Sequence, residues 1–192
     1  MKKGKRPKKG QYGYRNYHKK VEMVKLLCGI AAIGVQLWAR RFTGQEAMKN
    51  ILTVMAILSA LPVANVAAPL LAAFRYRTPG EEFYRRLSEM EQKVSVLYDL
   101  VITSKEQILP MDGIVVHPAG VYAYCSNPGI SVDRAETFLN DLFRAHRLDP
   151  RVKVLTDENA FFKRAKALKP EREYEDDGSV AYGINLLKDI SM

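Results

Sequence analysis

The sequence predicts an α/β protein: a membrane helical hairpin followed by a small sandwich domain with elements in the order α-β-β-β-α-β. Three observations carry this. Residues 50–74 hold no charged side chain, whereas 169–178 are mostly charged. Such segregation fits a membrane segment joined to a soluble part. Beyond residue 78 the long apolar runs give way to short β-branched stretches alternating with amphipathic ones, which is the signature of strands and half-buried helices. The positive charge is also confined. Residues 1–20 hold nine Lys and Arg and no acid, so the net +9 of the chain is theirs and residues 21–192 sum to zero.

Residues 1–20 are expected to be a disordered, basic cytoplasmic tail. Gly4, Pro7, Gly10 and Gly13 interrupt helical patterning, and aliphatic residues are missing apart from Met1. Such a segment buries too little to offset its ordering entropy. Tyr12, Tyr14 and Tyr17 interleave with Lys2, Lys3, Lys5, Arg6, Lys8, Lys9, Arg15, Lys19 and Lys20. Two readings stay open for these residues. One is a solvated topology signal beside a membrane. The other is direct contact with anionic lipid headgroups or nucleic acid, where each lysine near an anionic surface adds about 1 kcal/mol and tyrosines stack on bases or settle at the interface.

Residues 26–39 are apolar apart from Gln36. Extended to 21–42, with Lys25 and Arg40 reaching the interfaces and Trp38 as an anchor, they form a first span. An interfacial or buried helix and a cleaved signal are the competing readings, the latter weakened by the absence of a small-x-small cleavage site. Residues 50–74 are the stronger span: 25 uncharged residues make about 37 Å of helix, enough for roughly 30 Å of hydrocarbon. Pro62 and Pro69 are tolerable in such a helix. The loop at 43–49 joins the two. Nine basic residues precede the first span and three (Arg40, Arg41, Lys49) flank the loop, so both termini are expected in the cytoplasm and the loop outside. Gly29, Ala31, Ala32 and Gly34 are expected to face Ala56, Ala60, Ala64 and Ala68 across the hairpin, allowing close contact.

The α/β domain is placed at 78–168. A helix is expected over 81–93, strands over 94–103, 112–117 and 120–126, a helix over 132–147 with Ser131 as its N-cap, a strand over 152–155, and a helix capped by Asp157 and running to Leu168. Pro118-Ala119-Gly120 makes the second and third strands a hairpin. An acidic linker (169–178) and a C-terminal helix (179–192) complete the chain.

Little in the sequence points to chemistry. Cys28 and Cys125 fall in different segments and read as free thiols. His18, His117 and His146 lack metal-ligand spacing, and phosphate-loop, dinucleotide-binding and serine-nucleophile motifs are missing. No cofactor or metal is expected.

The order α-β-β-β-α-β is similar to the restriction-endonuclease-like core. The stretch from Asp112 to Asn127 resembles the central hairpin of the nuclease-related domain family, in which an Asp, a hydrophobic strand, a Pro-x-Gly turn and a second strand lead to Glu-x-Lys. Asp112, Pro118 and Gly120 match; Cys125 stands at the Glu position and Asn127 at the Lys position. A thiol is a poor ligand for a hard cation, so the resemblance implies a nuclease-like scaffold without its metal pair, with Asp112 capping a turn after Pro110. Glu136 is the candidate for a substitute carboxylate beside Asp112. Three functions are weighed: a membrane-tethered, non-enzymatic interaction or scaffold protein that binds a protein partner or itself, with a free sheet edge to receive a partner strand; a nucleic-acid-associated membrane protein acting through the basic tail; and a residual metal-dependent nuclease using Asp112 and Glu136.

Overall fold

The computed structural model describes residues 6–104, 106–148 and 151–192. Its elements are α1 (Tyr14–Phe42), α2 (Glu46–Phe74), α3 (Glu81–Ser88), β1 (Ser95–Thr103), β2 (Ile108–His117), β3 (Gly120–Tyr124), α4 (Val132–Ala145), β4 (Val152–Leu155), α5 (Glu158–Ala167) and α6 (Ser179–Asp189), with a 3-10 turn at Glu171–Glu173. Two compact units result: residues 16–76, and residues 6–15 together with the described residues from 77 on.

The first unit is a helical hairpin. Both helices are 29 residues long and apolar enough to cross a membrane. Each starts before the apolar run does. Lys, Glu and Arg are good helix formers, so the helices extend back through charged turns. Leu61 and Leu71 are 65% and 72% exposed, which a soluble core helix would not tolerate. Between the helices Gly29 does what a small residue is expected to do: a Cβ there would lie 2.5 Å from Val63 Cγ2. Gln36 Nε2 donates to Ser59 Oγ at 3.2 Å. The rest of the expected small-residue seam is corrected. Gly34 meets open space, and Ala60, Ala64 and Ala68 are exposed; of that set on α2, Ala56 is the buried one. The contact is local rather than a continuous seam.

In the second unit a four-stranded sheet runs in the order β1-β2-β3-β4, with antiparallel β1/β2 and β2/β3 and parallel β3/β4. Helices cover both faces. Phe83 and Leu87 of α3 and Phe161, Phe162 and Ala165 of α5 pack on Tyr98, Val115 and Tyr124. Leu139 and Phe143 of α4 and Leu186 and Leu187 of α6 pack on Ile102, Ile114, Val116 and Val154. β2 begins four residues earlier than expected, through Pro110, which faces Val101. Pro110 lacks an N–H, yet β3 pairs with β2 only from Gly113 onward. There β2 is an edge on that side, where proline is tolerated.

Local chemistry fixes several joints. Asp157 caps α5, accepting from the backbone N–H of Asn159 and Ala160. Ser131 makes no side-chain cap bond to α4. Instead Gln107 holds its backbone, Oε1 accepting from Ser131 N at 3.0 Å and Nε2 donating to Ser131 O at 3.1 Å. The 169–178 linker is not free chain: Glu171 N donates to Lys93 O at 2.9 Å. At the β2–β3 turn Gly120 has φ +147°, and a Cβ would sit 2.9 Å from Arg151 O. Backbone cannot yield as a side-chain tip does. Gly120→Ala is therefore expected to cost about 1–3 kcal/mol in thermal unfolding.

The disordered-tail expectation is also corrected for residues 6–20; Lys2, Lys3 and Lys5 lie outside the described residues. Segment 7–15 is a strap on the domain. Gly10 O accepts from Tyr98 N at 2.9 Å, and Tyr12 stacks on Tyr84 with ring centroids 4.3 Å apart. Gly10 and Gly13 supply the positive φ values, +85° and +83°, that let the segment turn before α1. A local reading of the tail counts no hydrophobic payload, but its tyrosine and arginine bury themselves in a surface supplied by residues far away in sequence.

Candidate functional site

Side chains on β1 and β2 should alternate between the two faces. Leu97 and Tyr98 obey this, as do Ile114 and Val115, but Leu100, Ile102, Leu109 and Met111 all join the α4/α6 side. The phase therefore changes on both strands at one cross-strand position, where Asp99 lies opposite Asp112 between the pairs Tyr98–Gly113 and Leu100–Met111. Asp99 makes the change with φ +58°, a conformation that aspartate enters more readily than most residues. Two acidic residues, each 2% exposed, thus lie at one crease of the sheet. Directly opposed like charges are unfavourable without a counter-charge.

Arg15 supplies it. Its side chain is 3% exposed, and Nη1 donates to Asp112 Oδ1 at 2.9 Å and to Arg77 O at 2.7 Å. Nη2 donates to Met111 O at 2.9 Å and lies 3.4 Å from Leu100 O. The planar fork of a guanidinium suits such a fan of oxygens; a lysine could not reach them together. Asp112 Oδ2 accepts from Ser126 N at 2.8 Å, and Asp99 Oδ2 accepts from Gly13 N at 2.7 Å and Thr78 Oγ1 at 2.9 Å. The crease thus holds both the strap and the segment entering α3.

Burial raises the Asp99 carboxyl above its ordinary value against the pull of Arg15, Thr78 and Gly13, and Asp112 pushes it further up. A folded value above the unfolded one, about 3.9, means that the folded chain holds the proton more tightly. The stability from that proton is full below the unfolded value and is lost as pH rises through the folded one. The stability advantage of the wild-type chain over Asp99→Asn is therefore expected to shrink as pH rises from about 4. Thermal unfolding of both chains across a pH series checks this.

The other sequence candidates are placed as follows. Asp112 lies inside β2 and does not cap a turn. Glu136 belongs to a different locale. Its Oε1 accepts from Val154 N at 3.0 Å and its Oε2 from Lys153 Nζ at 2.8 Å, on the outer edge of β4, with β3 between β4 and β2. The structure therefore does not bring Asp112 and Glu136 together. Cys125 is fully buried, and its thiol is pushed up to about 11, chiefly by burial, which removes the thiolate a nucleophile needs. His117 is pinned between Lys169 O at 3.0 Å and Ala119 N at 3.1 Å, and burial lowers its pKa. No cluster of three or more metal-ligating side chains occurs among the described residues.

Of the tail residues, Arg15 and Tyr12 face inward rather than toward a lipid or nucleic acid. Lys9 Nζ donates to Ser191 O at 2.6 Å, and Lys19 Nζ to Phe74 O at 3.1 Å. Tyr14 and Tyr17 are half-buried in or near the first turn of α1, while Arg6, Lys8 and Lys20 are exposed. Sequence reasoning missed Asp99 altogether. Its signal was a lone acid inside the β-branched run VLYDLVIT, a pattern that demands a buried partner.

The free sheet edge expected for a partner strand is also corrected. On β1, Tyr98 N meets Gly10 O, and Val101 O accepts from Met192 N at 2.9 Å. On β4, Val152 N donates to Asn140 Oδ1 at 3.0 Å and Val154 N to Glu136. Chain ends and α4 side chains thus cover groups that an edge would offer.

Comparison of the chain with protein-family models, with curated proteins and with solved structures gave no match.

Proposed function

We propose that the chain is a membrane-anchored, non-enzymatic scaffold whose α/β body, a restriction-endonuclease-like core, acts at the cytoplasmic face by binding a protein partner or itself. The observation that carries this is the Arg15 guanidinium buried against Asp112. Where the resemblance to nuclease-related domains asks for a divalent cation, this chain supplies a cation of its own on a strap. The element order, with two antiparallel pairings and one parallel, supports the nuclease-like reading of the fold. The exposed apolar surfaces of α1 and α2 support the anchor. That residues 6–15 and 77–192 belong to one unit supports reading both flanks of the hairpin on one side of the membrane, and the basic flank favours the cytoplasmic side.

The detergent-solubilised full chain is expected to show neither heat on titration with Mn²⁺ nor cleavage of duplex or single-stranded nucleic acid. Cleavage that requires Mn²⁺ and disappears in Asp112→Ala would replace the scaffold with a nuclease. For the topology, Gly44→Cys in a Cys28→Ser background is expected to react with a membrane-impermeant maleimide on intact cells. A second reading, contact of the tail with nucleic acid or anionic lipid, is favoured by the exposure of Arg6, Lys8 and Lys20. It predicts binding that weakens steeply with salt.

A further inference from the structure

Over residues 51–74 the polar side chains of α2 are matched within the hairpin, with one exception. Thr53 Oγ1 donates to Lys49 O at 2.7 Å. Ser59 Oγ donates to Met55 O at 2.8 Å and accepts from Gln36 Nε2 at 3.2 Å. Asn65 is exposed, and among the described residues no hydrogen bond reaches its amide. It lies close to the middle of the uncharged 50–74 stretch, about 4.5 Å along the axis from residue 62. In hydrocarbon an amide without a partner is costly, and a polar side chain retained there marks a contact. Pro69 sharpens the need: it has no N–H to give Asn65 O its helical donor.

Asn65 also selects a face. Val63, which lies over Gly29, marks the side of α2 toward α1. Asn65 is two residues and about 200° further round, so it points away from α1. Steps of three and four residues through Asn65 give the ridge Ile51, Val54, Leu58, Leu61, Asn65 and Ala68. Its first four residues are 52%, 54%, 59% and 65% exposed, and Ala68 is exposed too. That spacing keeps one helix against another over many turns. In a helix apolar on every side the aliphatic residues do not choose a face. A single Asn does, and it sets the register as well, because it is buried at least cost opposite a group that both donates and accepts. Another Asn is such a group. Copies of the chain inserted with one orientation present α2 in parallel, so pairing along this ridge sets Asn65 against Asn65.

We propose that α2 pairs with α2 of a second copy of this chain along this ridge, with the two Asn65 side chains hydrogen-bonded near the middle of the membrane, Nδ2 of one donating to Oδ1 of the other. Ala68, one turn on, lets the two helices approach beside the amides. The pairing rests on the anchor reading. It gives self-association of the scaffold a surface, in the membrane rather than on the sheet edge.

Cross-linking in membranes of cells expressing the full chain tests this. In a Cys28→Ser background, Leu58→Cys and Leu61→Cys lie on the ridge, while Met55→Cys and Leu71→Cys lie on exposed flanks of the same helix. Under mild oxidant the ridge variants are expected to form disulfide-linked dimers about fivefold faster than the flank variants, since a bridge needs Cα atoms within about 7 Å. Adding Asn65→Leu to Leu61→Cys is expected to lower dimer formation about tenfold. Asn65→Gln, which keeps the amide, is expected to retain most of it. Equal rates on ridge and flanks, or an Asn65→Leu chain that cross-links like its parent, overturns the proposal. A cross-linked product other than the dimer also overturns it, by assigning the ridge to a different membrane protein. Alkaline washing of the same membranes keeps the two readings apart. A chain retained in the pellet without ridge preference overturns the pairing alone, whereas a chain released by the wash overturns the anchor with it.

Discussion

Arg15→Ala is expected to destabilise the α/β body by about 3–5 kcal/mol, because it strands buried carboxylates without their counter-charge. Asp112 would lose its partner at 2.9 Å, and the carbonyls of Arg77 and Met111 would lose their donors. The strap would lose its deepest anchor, leaving the Gly10, Tyr12 and Gly13 contacts. Limited trypsin digestion should therefore cut near Lys8 and Lys9 sooner in the variant. A second substitution separates charge from packing. Replacing both partners by apolar residues of similar size, Arg15→Met with Asp112→Leu, should recover much of the loss, since an absent ion pair costs far less than half of one. If Arg15→Ala melts within about 1 °C of wild type, where 1 kcal/mol would move a domain of this size by several degrees, the buried pair contributes nothing and the scaffold reading loses its main support.

Phe161→Ala is expected to have a comparable effect, about 3–5 kcal/mol, through a different mechanism: a cavity that the sheet and two helices cannot close. Phe161 is fully buried and its ring lies 6.3 Å from Phe83, 5.6 Å from Tyr124 and 5.5 Å from Phe162, centroid to centroid. It joins α3, β3 and α5, so its loss loosens one whole face of the sheet. Lys163→Ala, on the exposed side of the same helix, should stay within about 0.5 kcal/mol. Thermal unfolding of the two variants side by side tests whether the α3/α5 layer is a packed core, and a Phe161→Ala chain as stable as Lys163→Ala would show that it is not.

How much of this was legible before any coordinates differs from element to element. The strand at 152–155 and the helix after Asp157 followed from β-branched alternation and a capping aspartate, which are local signals. The extent of β2 did not, because Pro110 argues against a strand unless it is known that β3 stops short of it. The two long helices were legible from length and missing charge. The interhelical seam was only partly so: Gly29 faces Val63, but Ala60, Ala64 and Ala68 point away, and which face of a uniformly apolar helix meets its neighbour is not written in its composition.

The site shows the same division. Residue chemistry alone indicated that Cys125 was a core thiol rather than a nucleophile. Asp99, Arg15 and Asp112 are brought together from the strap, β1 and β2, up to 97 positions apart in sequence. Nothing in the spacing of Arg15 marks it as different from Lys8 or Lys20, so it was read with them as a surface cation. By itself the sequence determined the apolar hairpin, the order of the elements and the confinement of charge to one end, since these depend on periodicity and composition over short windows. Only the tertiary structure decided which cation is buried, because burial of a charge depends on the desolvated oxygens that the rest of the fold assembles around it.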